Sequence, residues 1–314
     1  MSEHVEPPIC VLGLGLIGGS LLRAAVAAGR TAWGYNRSAD PVRDAVADGF
    51  DATSDLRSAL VRAREGNALI VVAVPMPAVD AVLAAVAEHA PGCPLTDVVS
   101  VKAPVAAAVA RVGLTERYVG GHPMAGTADS GWGASFAELF NDAVWVVAAE
   151  DGADPAVWSA VTRLALACGS VVIPAESNEH DRAVARISHL PHVLAEALAT
   201  SGAAGGDLAL GLAAGSFRDG TRVAATAPDL VRAMCEANAD ALLDALDETL
   251  AVLAAARETL AAGSLADLVG AGFDARQRYE KAERWDITGI VPGDIGWLEA
   301  FRDAGRRGGA LRAL

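Results

Sequence analysis

Residues 10–20 read CVLGLGLIGGS, an apolar run interrupted by Gly13, Gly15 and Gly18 that passes directly into a helix-forming stretch, 16–28. No other feature restricts the fold as strongly. A GxGxxG spacing between a strand and a helix serves a βαβ unit that binds a dinucleotide. Gly13 permits the tight turn, Gly15 lets backbone amides approach a pyrophosphate at the helix N-terminus, and Gly18 lets the helix lie close on the sheet. Gly29 supplies a C-terminal stop, and a second apolar run begins at Thr31.

The pattern repeats through the first half of the chain. Short β-branched runs at 9–12, 31–35, 69–74, 95–99, 117–119, 144–148 and 171–173 alternate with alanine-rich helical stretches. Near-continuous apolar runs fit strands buried on both faces, so the expectation is an α/β, Rossmann-type doubly wound domain with a mainly parallel sheet over residues 1–175. From Glu176 onward the strand signal disappears, and residues 176–314 read as an all-α domain. Its first helix is expected at 178–199, followed by the break SGAAGGD and further helices through Trp285. Leu243, Leu246, Leu250, Leu253 and Leu260 recur at spacings of three and four, a stripe that calls for a helical partner within the bundle or in a second copy of the chain. After Trp285 the segment ITGIVPGDIGW and an Arg/Gly-rich tail read as a connector and a fraying terminal helix.

Charge and composition exclude several classes. The formal charge of −14 repels nucleic acid and anionic membranes. Cys10, Cys93, Cys168 and Cys235 stand far apart without a CxxC pair, which speaks for reduced thiols and against a disulfide frame or a thiolate metal site. The polar, Pro-rich N-terminus and the lack of an uninterrupted apolar span point to the cytoplasm. At the end of the second strand, where NAD enzymes carry an acid for the ribose 2′-hydroxyl, this chain has Asn36-Arg37-Ser38. A guanidinium there accepts a 2′-phosphate, so NADP is expected to be used at least as well as NAD. The expected nucleotide contacts are Gly13, Leu14, Gly15, Leu16, Ile17, Gly18, Asn36, Arg37, Ser38 and Val74.

Three further stretches carry chemistry: DVVSVKAP (97–104), which places Ser100 at a strand's carboxyl end; GGHPMAGTADSG (120–131); and HDRAVARISHLPHVLAEAL (180–198), followed by GSFRDGTRVA (215–224). Together these segments resemble the prephenate dehydrogenase family, the cyclohexadienyl dehydrogenases of tyrosine biosynthesis, from Ile9 to beyond Arg222. The resemblance implies oxidative decarboxylation of prephenate, or of its amino analogue arogenate, with hydride transfer to NAD(P), in a homodimer, and it implies substrate binding and dimerisation for the all-α domain, 176–314. Within it, His122 is the group that polarises and deprotonates the substrate's 4-hydroxyl. Gly120 and Gly121 let its backbone bend off a strand, and Pro123 fixes the exit. Ser100 resembles the family serine that orients this histidine, and Arg222 the arginine that binds a substrate carboxylate. The resemblance also implies that His192 faces the substrate with Ser188 as helper, and Thr127 of the HPMAGT loop is a further expected substrate contact. His189 reads as a packed residue and His180 with Asp181 as capping or interdomain contacts; no metal is expected. Where relatives carry an acid after HPMAGT this chain has Ala128, and Asp129 is a candidate for favouring the ammonium of arogenate. A β-hydroxyacid dehydrogenase would need a catalytic lysine in the helical half, where only Lys281 stands. A non-catalytic NADP-binding regulator would not need Ser100, His122, His192 and Arg222.

Overall fold

The computed structural model describes residues 6–127 and 129–314. It divides into two compact units, one comprising the chain up to His180 together with Asp286–Leu314, the other Asp181–Trp285.

In the first unit, strands β1 (Ile9–Leu12), β2 (Ala32–Tyr35), β3 (Ala52–Thr53), β4 (Leu69–Val72) and β5 (Leu95–Asp97) form a parallel sheet in the order β3-β2-β1-β4-β5. Every residue of β1, β2, β4 and β5 is buried, which is why their sequences show no polar alternation. Strand order reverses between β1 and β4, and it is at such a switch point that open α/β sheets bind ligands. The register aligns Leu12 with Tyr35 and Val72, and Val72 with Asp97, so the expected cofactor loop and the Ser100 loop leave the sheet at the same edge. The runs expected to continue to Val74 and Val99 end earlier. The amides of Ala73 and Val98 make the last sheet bonds, to Leu12 O (2.8 Å) and Val72 O (3.0 Å), before the chain turns away.

A second, three-stranded sheet follows: β6 (Gly121–Pro123), β7 (Val144–Ala148) and β8 (Val171–Ala175), with β6 antiparallel and β8 parallel to β7. The strand expected at 117–119 does not form. Thr115–Arg117 is a 3-10 turn, Tyr118 makes an isolated bridge to Leu95, and regular pairing begins at Gly121. The reason is that the chain crosses here from the edge of β5 to that of β7. A Cβ at Gly121 would lie 2.8 Å from Asp97 O and 2.9 Å from the Trp145 indole nitrogen, so only glycine passes.

The tail does not fray. Helix Trp297–Arg306 buries Trp297, Phe301 and Ala304, an i, i+4, i+7 stripe, and Phe301 stacks on Trp158 with ring centroids 4.6 Å apart. Leu311 then pairs with Val172 through two backbone bonds of 2.9 and 2.8 Å. The expected second domain, 176–314, is therefore too long at its C-terminal end: residues from Asp286 belong to the first unit because their apolar side chains fill its core.

The second unit is helical, as expected. Its segments include a π-turn (Ala185–His189) leading into helix Leu190–Ala204, then helices Gly215–Thr221, Pro228–Ala237, Ala239–Ala261 and Ala266–Glu280. In helix Ala239–Ala261 the buried residues are Leu242 and Ala245, whereas Leu243, Leu250, Leu253 and Leu260 are each about half exposed, at 55, 53, 49 and 56%. The bundle thus uses a different face from the leucine stripe. All four cysteines are free, and burial pushes the thiols of Cys10 and Cys168 up to about 12. Among the described residues no helix is long and apolar enough to cross a membrane.

Candidate active site

The glycine loop has the geometry that its spacing predicts. Gly13 adopts φ +115°, and a Cβ at Gly18 would overlap Gly13 O at 1.9 Å, so the first and third glycines are required by the turn and by helix–sheet contact. Gly15 is different: a Cβ there would meet no protein atom within 4 Å. Gly15 also begins helix Leu16–Ala27 without a side-chain cap and without an acid in the first turn. The first amides of that helix are left for an anion, and nothing in the protein's own packing calls for glycine at position 15. These residues fit a dinucleotide pyrophosphate. Leu14 is buried, Ile17 and Val74 are partly buried, and Leu16 lies in the first turn of the helix.

At the tip of β2, Asn36 is already engaged. Its Oδ1 accepts from the Leu14 amide at 3.1 Å and its Nδ2 donates to Ser38 O at 3.2 Å, so this side chain shapes the loop rather than waiting for a phosphate. Arg37 and Ser38 are exposed, and Arg37 makes no ion pair among the described residues.

His122 is half-buried in β6, opposite Val146 of β7. Its Nδ1 lies 2.8 Å from Nε2 of His180, with the rings steeply inclined at 77°. His180 is a buried residue of the first unit. Its helix, Ser177–Val184, follows β8 directly, and its neighbours are fastened: Glu150 accepts from the Ser177 amide at 2.6 Å, Arg302 pairs with Glu176 at 3.1 Å, and Arg306 pairs with Glu179 at 2.8 Å.

Beneath this site lies a polar cluster that sequence reading missed. Lys102 and Asp97, both fully buried, form an ion pair. Lys102 Nζ also donates to Gly121 O at 2.6 Å, while Asp97 accepts from the Val99 amide at 2.8 Å and the Tyr118 hydroxyl at 2.6 Å. Lys102 is two residues past Ser100 and Gly121 immediately precedes His122, so one buried ammonium ties together the two loops that carry the expected catalytic side chains. A buried charge is tolerated only when paired and hydrogen-bonded, and here both partners are. The signal was present: a lysine is rare in this chain, and Lys102 follows a strand-end aspartate by five residues.

In the second unit, Gly202 and Phe217 pack so closely that a Cβ on the glycine would lie 2.4 Å from the ring, which brings helix Gly215–Thr221 and the turn Arg222–Ala225 against helix Leu190–Ala204. Arg222 and the Val223 backbone then lie beside His192. Burial holds the His192 imidazole below its usual value; Arg222 adds to the shift, while Glu196 and Val223 oppose it. Two of the expected substrate residues, His192 and Arg222, are thus neighbours. Ser188 is half-buried at the π-turn, a feature frequent at functional sites. His189 is fully buried with Nδ1 3.1 Å from Nδ2 of Asn238, which also donates to Asp181 O at 2.8 Å; this is the packed role expected for it. Arg218 is exposed and reaches Asp219 only at 3.9 Å. Thr127 and Asp129 share an exposed loop, the Asp129 amide donating to Thr127 Oγ1 at 3.3 Å, while Ala128 lies outside the described residues.

A cleft of about 250 Å³ in the same unit is lined by Arg182, Arg186, Ala241, Asp244, Asp247 and Glu248, and contains none of the expected site residues. Two of its charged residues, Arg186 and Glu248, form a two-pronged pair at 2.5 and 2.8 Å. Among the described residues no group of three or more His, Cys, Asp or Glu is placed to hold a metal ion.

Comparison with known proteins identifies the family. A model of the prephenate dehydrogenase nucleotide-binding domain matches residues 22–174, and one of the prephenate dehydrogenase dimerization domain matches 176–271. The cyclohexadienyl dehydrogenase of Zymomonas mobilis is 35% identical over 268 residues, spanning 81% of this chain and 88% of that protein. Among solved structures, a candidate prephenate dehydrogenase of Corynebacterium glutamicum is 49% identical with a TM-score of 0.91, covering 97% of this chain and 98% of that one. Synechocystis arogenate dehydrogenase is 30% identical with a TM-score of 0.73, over 87 and 99%. The glycine loop lies ahead of the first matched span, so its reading rests on the geometry given above.

Proposed function

Because the chain belongs to the prephenate dehydrogenase family, we propose that it oxidatively decarboxylates prephenate to 4-hydroxyphenylpyruvate, the NAD(P)-linked oxidation of tyrosine biosynthesis. The observation that carries the residue assignment is the placement of His122, an imidazole fixed on a short strand whose preceding carbonyl is tied by Lys102 to the Ser100 loop. A nicotinamide nucleotide held by the glycine loop would supply the acceptor for the hydride on the substrate's hydroxyl-bearing carbon. His122 takes the hydroxyl proton, a contribution of roughly 10²- to 10⁴-fold for a well-placed base. Ser100 orients the reacting end. Arg222 pairs with a substrate carboxylate, for which a planar guanidinium is better shaped than an ammonium, and His192, held toward its neutral form, hydrogen-bonds beside it with Ser188 and Thr127 as helpers.

The nucleotide is held by the amides at Gly15 and by the loop of Gly13, Leu14, Leu16, Ile17, Gly18 and Val74, with Arg37 and Ser38 offered to a 2′-phosphate; NADP is therefore used at least as well as NAD. The working form is a homodimer joined through the helical unit, supported by the dimerization-domain match and by the half-exposed leucines of helix Ala239–Ala261. A cytoplasmic location suits four free cysteines. Arogenate is the second reading, favoured by the likeness to an arogenate dehydrogenase and by Asp129 in the HPMAGT loop.

The test is reduction of NAD or NADP, followed by absorbance, on addition of prephenate or arogenate to purified protein. Turnover of prephenate supports the assignment, and higher kcat/KM on arogenate moves it to the second reading. Nucleotide binding without turnover of either substrate defeats both and leaves a nucleotide-binding regulator.

A further inference from the structure

The contact between His122 and His180 determines more than position. A nitrogen–nitrogen distance of 2.8 Å with ring centroids 5.0 Å apart means that the rings meet edge to edge through their nitrogens rather than by stacking. When both rings are neutral, one proton lies between the two nitrogens, and it belongs either to His122 Nδ1 or to His180 Nε2. In the second case His122 carries its own proton on Nε2 and has no lone pair for a substrate hydroxyl. In the first, Nδ1–H of His122 donates to His180, and Nε2 is the ring's acceptor.

We infer that His180 is a positioning residue that fixes His122 in its Nδ1–H tautomer and stabilises the imidazolium formed during turnover. The inference rests on the reading of His122 as the base. The proton balance is closed within the site. The hydroxyl proton moves to His122 Nε2 as hydride leaves the same carbon for the nicotinamide, and the hydroxyl oxygen becomes a carbonyl. The ring carboxylate departs as carbon dioxide, its bonding pair enters the ring, and the carbonyl oxygen, now a phenolate, takes the proton back from His122. Between these events His122 is cationic, and its Nδ1–H bond to the His180 lone pair becomes charge-assisted and stronger. A carboxylate in place of His180 would fix the same tautomer. However, it would set a buried negative charge beside a site that receives a dianion, whereas a neutral imidazole fixes the tautomer without that repulsion.

The structure around His180 is built to hold it. It is 4% exposed, its amide donates to Glu176 O at 2.8 Å, and Glu176, just ahead of its helix, and Glu179, within it, are gripped by Arg302 and Arg306 of the C-terminal helix. Glutamine places an amide oxygen near the position of the histidine Nε2, where it accepts from His122 but does not titrate.

Two measurements test the inference. His180→Leu should lower kcat roughly tenfold to a hundredfold with nucleotide affinity unchanged, and His180→Gln should restore most of the loss. NMR of the histidine ring nitrogens, with His122 assigned from the His122→Asn spectrum, should show Nδ1 protonated and Nε2 unprotonated in the wild type and in His180→Gln, and a loss of that preference in His180→Leu. A wild-type His122 protonated at Nε2, or a His180→Leu enzyme with undiminished kcat while His122→Asn is inactive, overturns the inference alone. Normal turnover by His122→Asn overturns the reading of His122 and the inference with it.

Discussion

The two units bury their apolar side chains to different degrees. In the first, strands β1 and β4 are solvent-free along their whole length, and the aromatic side chains of the C-terminal helix close the far side of the core. In the second, Leu242 and Ala245 are covered while four leucines of the same helix stay about half exposed. The polar groups follow the same division. His122, His180, Asp97 and Lys102 are locked into short hydrogen bonds, whereas Arg222 is exposed on a single turn at the end of a seven-residue helix. The first unit thus fixes its polar cluster within a closed core. The second leaves the leucine face of its long helix uncovered and holds Arg222 exposed at its surface. Such a contrast suits the proposed chemistry, in which hydride transfer needs fixed geometry while capture of a substrate side chain tolerates a more exposed group.

The largest effect that would sharpen this contrast is expected at Lys102. Lys102→Met should cost about 3–5 kcal/mol in chemical denaturation, because it leaves the Asp97 carboxylate buried without its cation; a loss below about 1 kcal/mol would show that the pair is not closed off from water. Next comes a paired truncation. Leu22→Ala in the buried face of helix Leu16–Ala27 should cost about 2–5 kcal/mol, while Leu250→Ala should change the unfolding energy of the monomer by no more than about 0.5 kcal/mol. The second variant should instead weaken self-association in sedimentation. Equal losses at the two positions would erase the distinction between the units. His122→Asn should lower kcat by about a hundredfold or more with nucleotide binding intact, measured by steady-state kinetics and nucleotide titration. Arg222→Ala should weaken substrate binding by about 1.5–3 kcal/mol, read as a rise in KM that exceeds any fall in kcat. The smallest effect is expected at Arg37: Arg37→Ala should reduce kcat/KM for NADP by about tenfold with NAD little changed, the loss of one charge-assisted contact at an exposed site.

Much of the site could be read from residue types because its chemistry is local. The glycine loop, the strand-end position of Ser100, and the paired stretches SHLPH and FRDGTR each lie in one short segment, and their neighbours in the folded chain are mostly neighbours in sequence. Asn36 shows where this reading stops. Its type suited a phosphate contact, but its amide is used by Leu14 and Ser38, a choice made by loop geometry. His180 and Lys102 were missed for a stronger form of the same reason. Their partners, His122 and Gly121, are 58 and 19 residues away, and no local periodicity encodes such a pairing.

Sequence alone determined the α/β-then-helical order, the glycine loop and the family, and it singled out His122 as the candidate base, because backbone preference, hydrophobic period and motif spacing act over a few residues. Tertiary structure alone decided that the C-terminal thirty or so residues return to the first unit, that the crossing at Gly121 replaces an expected strand, and that His180 meets Nδ1 of His122. Those outcomes depend on which surfaces meet when distant segments pack, and burial energy is fixed only once they have met.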